Sequence, residues 1–131
     1  MKVKYIVLSG KKYPAICTLN VLAEIQEHYS TTMEFEREIL GLYYLRNENG
    51  EYILDDNGNP KMGMKEPSAK AVKVALVSMI NEGLKVEAYR RNVPYNPVDE
   101  MILMQECNVN YKVLGNFLHA IYAESFRTKK L

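Results

Sequence analysis

The stretch KVKYIVLSGKKYPAICTLNVLAEIQEHY, residues 2–29, changes its period partway along. From Lys2 to Ser9 it alternates, with Val3, Tyr5 and Val7 on one side, which predicts a β-strand. Ser9-Gly10-Lys11-Lys12 reads as a turn, and Tyr13 to Cys17 as the returning strand of a hairpin. Pro14 has no amide N–H to give a neighbour, so that strand belongs at a sheet edge. Beyond Thr18 the period lengthens. Leu22, Ile25 and Tyr29 recur at helical spacing with Leu19 and Ala23 beside them, and the Thr18 hydroxyl is placed to cap a helix from Leu19 to about Tyr29.

The same signals continue toward the C-terminus. Thr31 with Glu34 matches a capping box and opens a short helix that ends near Gly41, with Phe35, Ile39, Leu40 and Leu42 as its apolar residues. Residues 43–66 differ. Tyr43-Tyr44-Leu45 and Tyr52-Ile53-Leu54 flank the turn pair Asn49-Gly50, and Asp55 to Pro60 forms a second polar loop. This segment reads as a β-hairpin inserted between helices, peripheral to the core. A third helix starts at Pro67, carries Val72, Ala75, Leu76, Met79 and Ile80, and stops at Gly83. Asn96-Pro97, followed by Asp99 and Glu100, starts a short fourth helix with Val98, Met101, Ile102 and Met104 apolar. The last helix, about Asn110 to Phe126, has the clearest stripe: Leu114, Phe117, Leu118, Ile121 and Tyr122. Arg127, Lys129 and Lys130 follow at its negative end. No internal repeat is seen. The expected fold is α+β and mainly α: an N-terminal β-hairpin, about five short helices and an inserted hairpin, in a single domain over 1–131. Its core gathers Leu22, Ile25, Leu76, Ile80, Leu114, Phe117, Leu118 and Ile121.

Bulk composition excludes several functions. A chain of 131 residues buries enough surface to fold without a disulfide or metal staple. Seventeen basic against sixteen acidic residues give no general drive toward nucleic acid or an anionic membrane. No apolar run approaches a membrane span, and Met1 to Leu8 is too short and too charged for a signal peptide. Cys17 and Cys107 form no close pair, which suits a reducing compartment. Ten Tyr and seven Met, with no Trp, suit an interface as well as a core.

Candidate chemical sites are weak. Counted from Asp55, oxygen-bearing side chains fall at the first, third and fifth positions of a calcium loop, and Glu66 at its twelfth. The sixth position of such a loop needs glycine, and here it is Pro60. Cys17 to His28 and Cys107 to His119 are spaced too widely for zinc knuckles. Glu24, Glu27 and His28 could be an acid–base group but match an exposed helix face equally well. No nucleophile elbow, phosphate loop or His-Glu-x-x-His helix occurs. Arg90-Arg91 and Lys129-Lys130 are short basic clusters of solvated surface. No enzyme activity and no cofactor are expected.

The order of elements resembles a family. A strand ending in Tyr13-Pro14, then Cys17-Thr18-Leu19-Asn20-Val21-Leu22 and a helix Ala23-Glu24-Ile25-Gln26-Glu27-His28-Tyr29, is similar to the opening of siphophage tail assembly chaperones of Gram-positive phages and prophages. Val77-Ser78-Met79-Ile80-Asn81-Glu82-Gly83 looks like that family's middle helix, and the short helix after Asn96-Pro97 and the amphipathic final helix through Ala120 complete the pattern. The likeness spans about 1–40 and 67–126, and the 43–66 segment departs from it. The resemblance implies a chaperone of the bacterial host cytoplasm, often a homo-oligomer, that coats the tape measure protein until the tail tube forms. The alternative is a structural completion or connector protein of the phage head or tail. The expected partner-binding residues are Met101 and Met104 on the fourth helix and Tyr111 and Tyr122 on the last. The edge strand Tyr13 to Cys17 is the expected site of self-association.

Overall fold

The computed structural model describes residues 2–126 and shows an α+β architecture with two small antiparallel hairpins and five helices. The elements run β1 (Lys4–Leu8), β2 (Lys11–Ala15), α1 (Leu19–His28), α2 (Thr32–Leu40), β3 (Leu42–Tyr44), β4 (Met62–Met64), α3 (Ala69–Arg91), α4 (Glu100–Glu106) and α5 (Tyr111–Glu124). The basic residues Arg127, Lys129 and Lys130 lie outside the described residues.

The turn between β1 and β2 is shorter than expected. Ser9 and Gly10 both take positive φ, 48° and 77°, the two-residue geometry that matches the twist of paired strands, and Leu8 pairs with Lys11. The even-numbered Ile6 and Leu8 enter the core, while Tyr5 and Val7 look outward. Every residue from Tyr13 to Cys17 is buried, because β2 and its extension lie against α3. The Ile16 amide donates to the Met79 carbonyl at 3.2 Å. The expectation of a free edge at Tyr13 to Cys17 is therefore corrected: a helix covers that edge.

That contact also explains Gly83, which does not stop α3 but sits inside it. A Cβ at this position would lie 2.6 Å from the carbonyl carbon and oxygen of Pro14 and 2.9 Å from the amide nitrogen of Ala15. Glycine lets the strand backbone approach the helix backbone. The helix continues for two further turns to Arg91, and the left-handed Asn92, at φ 53°, ends it. With ten buried residues, α3 is the axis on which the other elements pack.

Local capping sets the remaining boundaries. Thr18 accepts the Asn20 amide, Thr31 the Glu34 amide, Ser68 the Ala71 amide, Asp99 the Ile102 amide and Asn110 the Lys112 amide. The cap of α3 is Ser68, so Pro67 precedes the helix rather than opening it. The core contains Val21, Ile25, Phe35, Ile39, Leu76, Met79, Ile80, Leu114, Leu118 and Ile121. Two expected members differ: Leu22 is only half-buried, and Phe117 is 40% exposed. On α1, Leu19 and Ala23 face water and Val21 takes the buried position.

The 43–66 insert pairs differently from the expected hairpin. Tyr43 faces Gly63 in the β3–β4 ladder, and the segment around Tyr52 meets the first strand through the bridge Arg46–Tyr52 and the packing of the Tyr52 ring on Tyr44, centroids 5.3 Å apart. The cause is an eight-residue repeat not evident from the sequence reading. Asn47-Glu48-Asn49-Gly50-Glu51 and Asp55-Asp56-Asn57-Gly58-Asn59 form the same turn. In the first, the Asn47 Oδ1 accepts the amides of Asn49 and Glu51 at 2.9 and 3.0 Å; in the second, the Asp55 Oδ1 accepts those of Asn57 and Asn59, both at 2.9 Å. Gly50 and Gly58 take φ of 79° and 81°, open to glycine without strain. Leu45, Ile53 and Lys61, eight residues apart, close a ring of backbone hydrogen bonds: Leu45 donates to Lys61 at 2.9 Å, Lys61 to Ile53 at 2.8 Å and Ile53 to Leu45 at 3.1 Å. The insert is held to the body at its base, where the Lys65 amide donates to Gly41 and the Ser68 amide to Glu38.

Candidate partner-binding surface

Helix α4 is only seven residues long and buries one of them, Leu103. Met101 is 65% exposed, Ile102 is exposed and Met104 is half-buried against the core. The helix is positioned by polar contacts around it rather than by its own apolar face. The Val98 amide donates to Asn81 Oδ1 at 3.0 Å, and Lys73 on α3 pairs with Glu100 at 3.1 Å. At the far end the hairpin turn reaches across: the Ser9 amide donates to Asn108 Oδ1 at 3.0 Å, and the Ser9 hydroxyl donates to the Glu106 carbonyl. Met101, Met104, Gln105, Lys73 and Glu100 line an open depression between α4 and α3.

The structure thus brings together two of the four expected partner residues. Tyr111 is half-buried at the start of α5. Tyr122 belongs to the core instead. It is 2% exposed, its ring centroid lies 5.2 Å from that of Phe35, and its hydroxyl donates to the Thr32 carbonyl at 3.3 Å. The helical stripe explains this, since Tyr122 follows Leu118 by one turn on the inward face of α5. The surface-facing aromatic of that helix is Phe117, with Val113 one turn before it.

The polar residues weighed for chemistry hold helices together. Glu24 accepts the Ser78 hydroxyl at 2.6 Å, which ties α1 to α3, while Glu27 and His28 are exposed. The Thr18 hydroxyl donates to the buried Glu82 on α3. His119 on α5 meets Glu36 on α2 at 3.0 Å. Cys17 is fully buried, and burial pushes its thiol up to about 11, with the Glu82 charge adding to the rise and a hydrogen bond to Ser125 opposing it. Such a thiol is a poor nucleophile near neutral pH. Asp55 spends one carboxylate oxygen on its own turn, and Pro60 pairs with Leu54 in a β-bridge. Among the described residues no three His, Cys, Asp or Glu side chains gather to hold a metal ion, and no helix is long and apolar enough to cross a membrane. Arg91 is paired with Glu87 at 3.1 Å.

What the surface does display is apolar. Exposed large apolar side chains are densest on the insert, with Tyr43, Tyr52, Ile53, Leu54, Met62 and Met64, and others are Met33 on α2, Met101 and Ile102 on α4, and Val113 and Phe117 on α5. Flexible thioether side chains at the surface suit a partner whose contact surface varies. Comparison with protein-family models, curated proteins and solved structures finds no match for this chain.

Proposed function

We propose that this chain is a phage or prophage tail assembly chaperone that binds the tape measure protein in the host cytoplasm and keeps it in solution until the tail tube forms. The observation that carries the reading is α4, a short helix anchored by the buried Leu103, on which Met101 faces outward and the half-buried Met104 lines the same depression beside α3. A long helical partner with exposed apolar stripes needs cover before assembly, and a holdase can supply that cover by mass action, without nucleotide. The order of elements around α4 supports the reading. The hairpin, the Thr18-capped helix, the middle helix and the amphipathic final helix follow in the order expected of that family. Met101 and Met104 are the residues proposed to meet the partner; Tyr111, at the start of α5, is not part of their depression, and Tyr122 is withdrawn from the site by its burial.

Co-expression with the tape measure protein of the same phage or prophage tests the function. The partner should be soluble with this chain and insoluble without it. Equal solubility in both cultures would sink the proposal, and finding the chain in finished particles would favour a structural completion or connector protein. Met101→Asp with Met104→Asp, in a protein that melts like the parent, should abolish the rescue. Undiminished rescue would move the site while leaving the function standing.

A further inference from the structure

We infer that one face of the 43–66 insert is a docking surface for a basic amphipathic helix of a partner protein. This inference does not rest on the chaperone reading or on α4. Side chains alternate along a strand and cross-strand partners share a side. The register Leu42–Met64 and Tyr44–Met62, with the bridges Arg46–Tyr52 and Leu54–Pro60, therefore sets a continuous apolar row on one face. Its inner end, Leu42 and Tyr44, is half-buried. Its outer end is open: Tyr52, Leu54, Met62 and Met64 are 47%, 54%, 42% and 78% exposed. The one charged member is committed to the insert itself. Arg46 lies over the Tyr52 ring at 4.4 Å, donates to the Gly50 carbonyl at 3.1 Å and to the Tyr52 hydroxyl at 3.0 Å. A hydrogen-bonded ladder bearing that much exposed apolar surface is the kind of patch that marks a protein–protein contact.

Charge selects the occupant. The two turns at the ends of this row carry the exposed Glu48 and Asp56, and among the described residues neither is in an ion pair. Residues 43–66 hold five acids against three bases, although the whole chain is slightly basic. Of those bases Arg46 is occupied as described, and Lys61 and Lys65 alternate with Met62 and Met64 to the opposite side of the ladder, where Lys65 lies 5.8 Å from the Tyr43 ring. An apolar strand face with free carboxylates at its turn tips fits a helix with an apolar stripe flanked by Lys and Arg. The same carboxylates repel nucleic acid.

The test uses the full chain and two fluorescent helical peptides of about 18 residues, five turns long. Both carry the same leucine stripe, one flanked by lysines and the other by glutamates, and binding is read by anisotropy. The lysine peptide should bind at least roughly tenfold more tightly than the glutamate peptide. Leu54→Asp with Met62→Asp should abolish binding, while Tyr89→Asp, an exposed apolar position on α3 outside both proposed surfaces, should leave it unchanged. Glu48→Lys with Asp56→Lys, which leaves the apolar row intact, should reverse the preference between the peptides. Equal binding of the two peptides, no binding of either, or wild-type binding by the Leu54/Met62 variant would overturn the proposal. So would a wild-type dimer that Leu54→Asp dissociates, since the face would then be occupied by a second copy of the chain.

Discussion

The body around α3 and the 43–66 insert are built on opposite plans. In the body, order comes from residues far apart in sequence: β2 lies on Gly83, Thr18 reaches Glu82, and Tyr122 packs on Phe35. In the insert, order comes from residues close in sequence, through two copies of one turn, each within five residues, and a ring of three backbone bonds among positions eight or sixteen apart. The body therefore buries its apolar residues, and the insert can leave Leu54 and Met64 in water and still hold its shape. Long-range packing yields one cooperative unit, whereas local hydrogen bonding yields an appendage that can open or be altered by itself.

The largest expected effect falls on the body. Leu118 is fully buried in α5 among residues of α2 and α3. Leu118→Ala should cost about 2–5 kcal/mol, seen as a lower midpoint in urea with an unchanged slope. A variant that melts like the parent would show that α5 does not complete the core. Next comes Gly83→Ala. In an open helix this change gains about 1 kcal/mol of propensity, but here the new methyl meets the Pro14 backbone, and overpacking of that kind costs about 1–3 kcal/mol. A net loss is expected. A gain in stability would mean that β2 can slide off α3 at little cost, and the contrast between body and insert would weaken.

These two positions also show what could be read in advance. The boundaries of α1, α2 and α5 were legible because Thr18, Thr31 and Asn110 act on amides two or three residues away. Gly83 was misread because glycine serves both as a helix terminator and as a site of backbone contact, and only the distant Pro14 decides between them. The strand pairing of the insert was misread for a related reason. Asn49-Gly50 marks a turn correctly, but which strands pair depends on closure of the ring at Leu45, Ile53 and Lys61, which is made by backbone groups that every residue carries. The repeat lies in the turns, Asn-Glu-Asn-Gly and Asp-Asp-Asn-Gly, and is too short to show as periodicity. At the candidate surface, Met101 faces outward as expected, whereas Tyr122 was assigned to two faces of one helix and the buried stripe prevailed.

Removing most of the insert should have a smaller effect. Leu45 and Lys61 are already hydrogen-bonded neighbours, so deleting residues 46 to 60 and joining them through a short Gly-Ser link extends the β3–β4 ladder into an ordinary hairpin. The melting temperature should move by about 4 °C or less, equivalent to roughly 1 kcal/mol in a domain of this size. Global unfolding of the deletion would show that the insert shares the cooperativity of the body. Retained folding with loss of peptide binding would sharpen the comparison into a division of labour.

The smallest effect tests the repeat itself. Asn47 and Asp55 each hold two backbone amides through one side-chain oxygen at nearly equal distances. Asn47→Ala and Asp55→Ala should therefore have matching consequences. Each removes two bonds worth about 1 kcal/mol apiece, so hydrogen exchange at the released amides, residues 49 and 51 or 57 and 59, should quicken by roughly ten- to thirtyfold. Exchange in α3 and the global melting curve should not change, because opening a turn exposes none of the core. Pro60 stands where a calcium loop needs glycine, so millimolar calcium should leave both the exchange pattern and the melting curve as they were. If Asp55→Ala alone lowered the global midpoint, or if calcium slowed exchange at Asn57 and Asn59, the two turns would not be equivalent. The second would then be coupled to the body or to a ligand in a way the first is not.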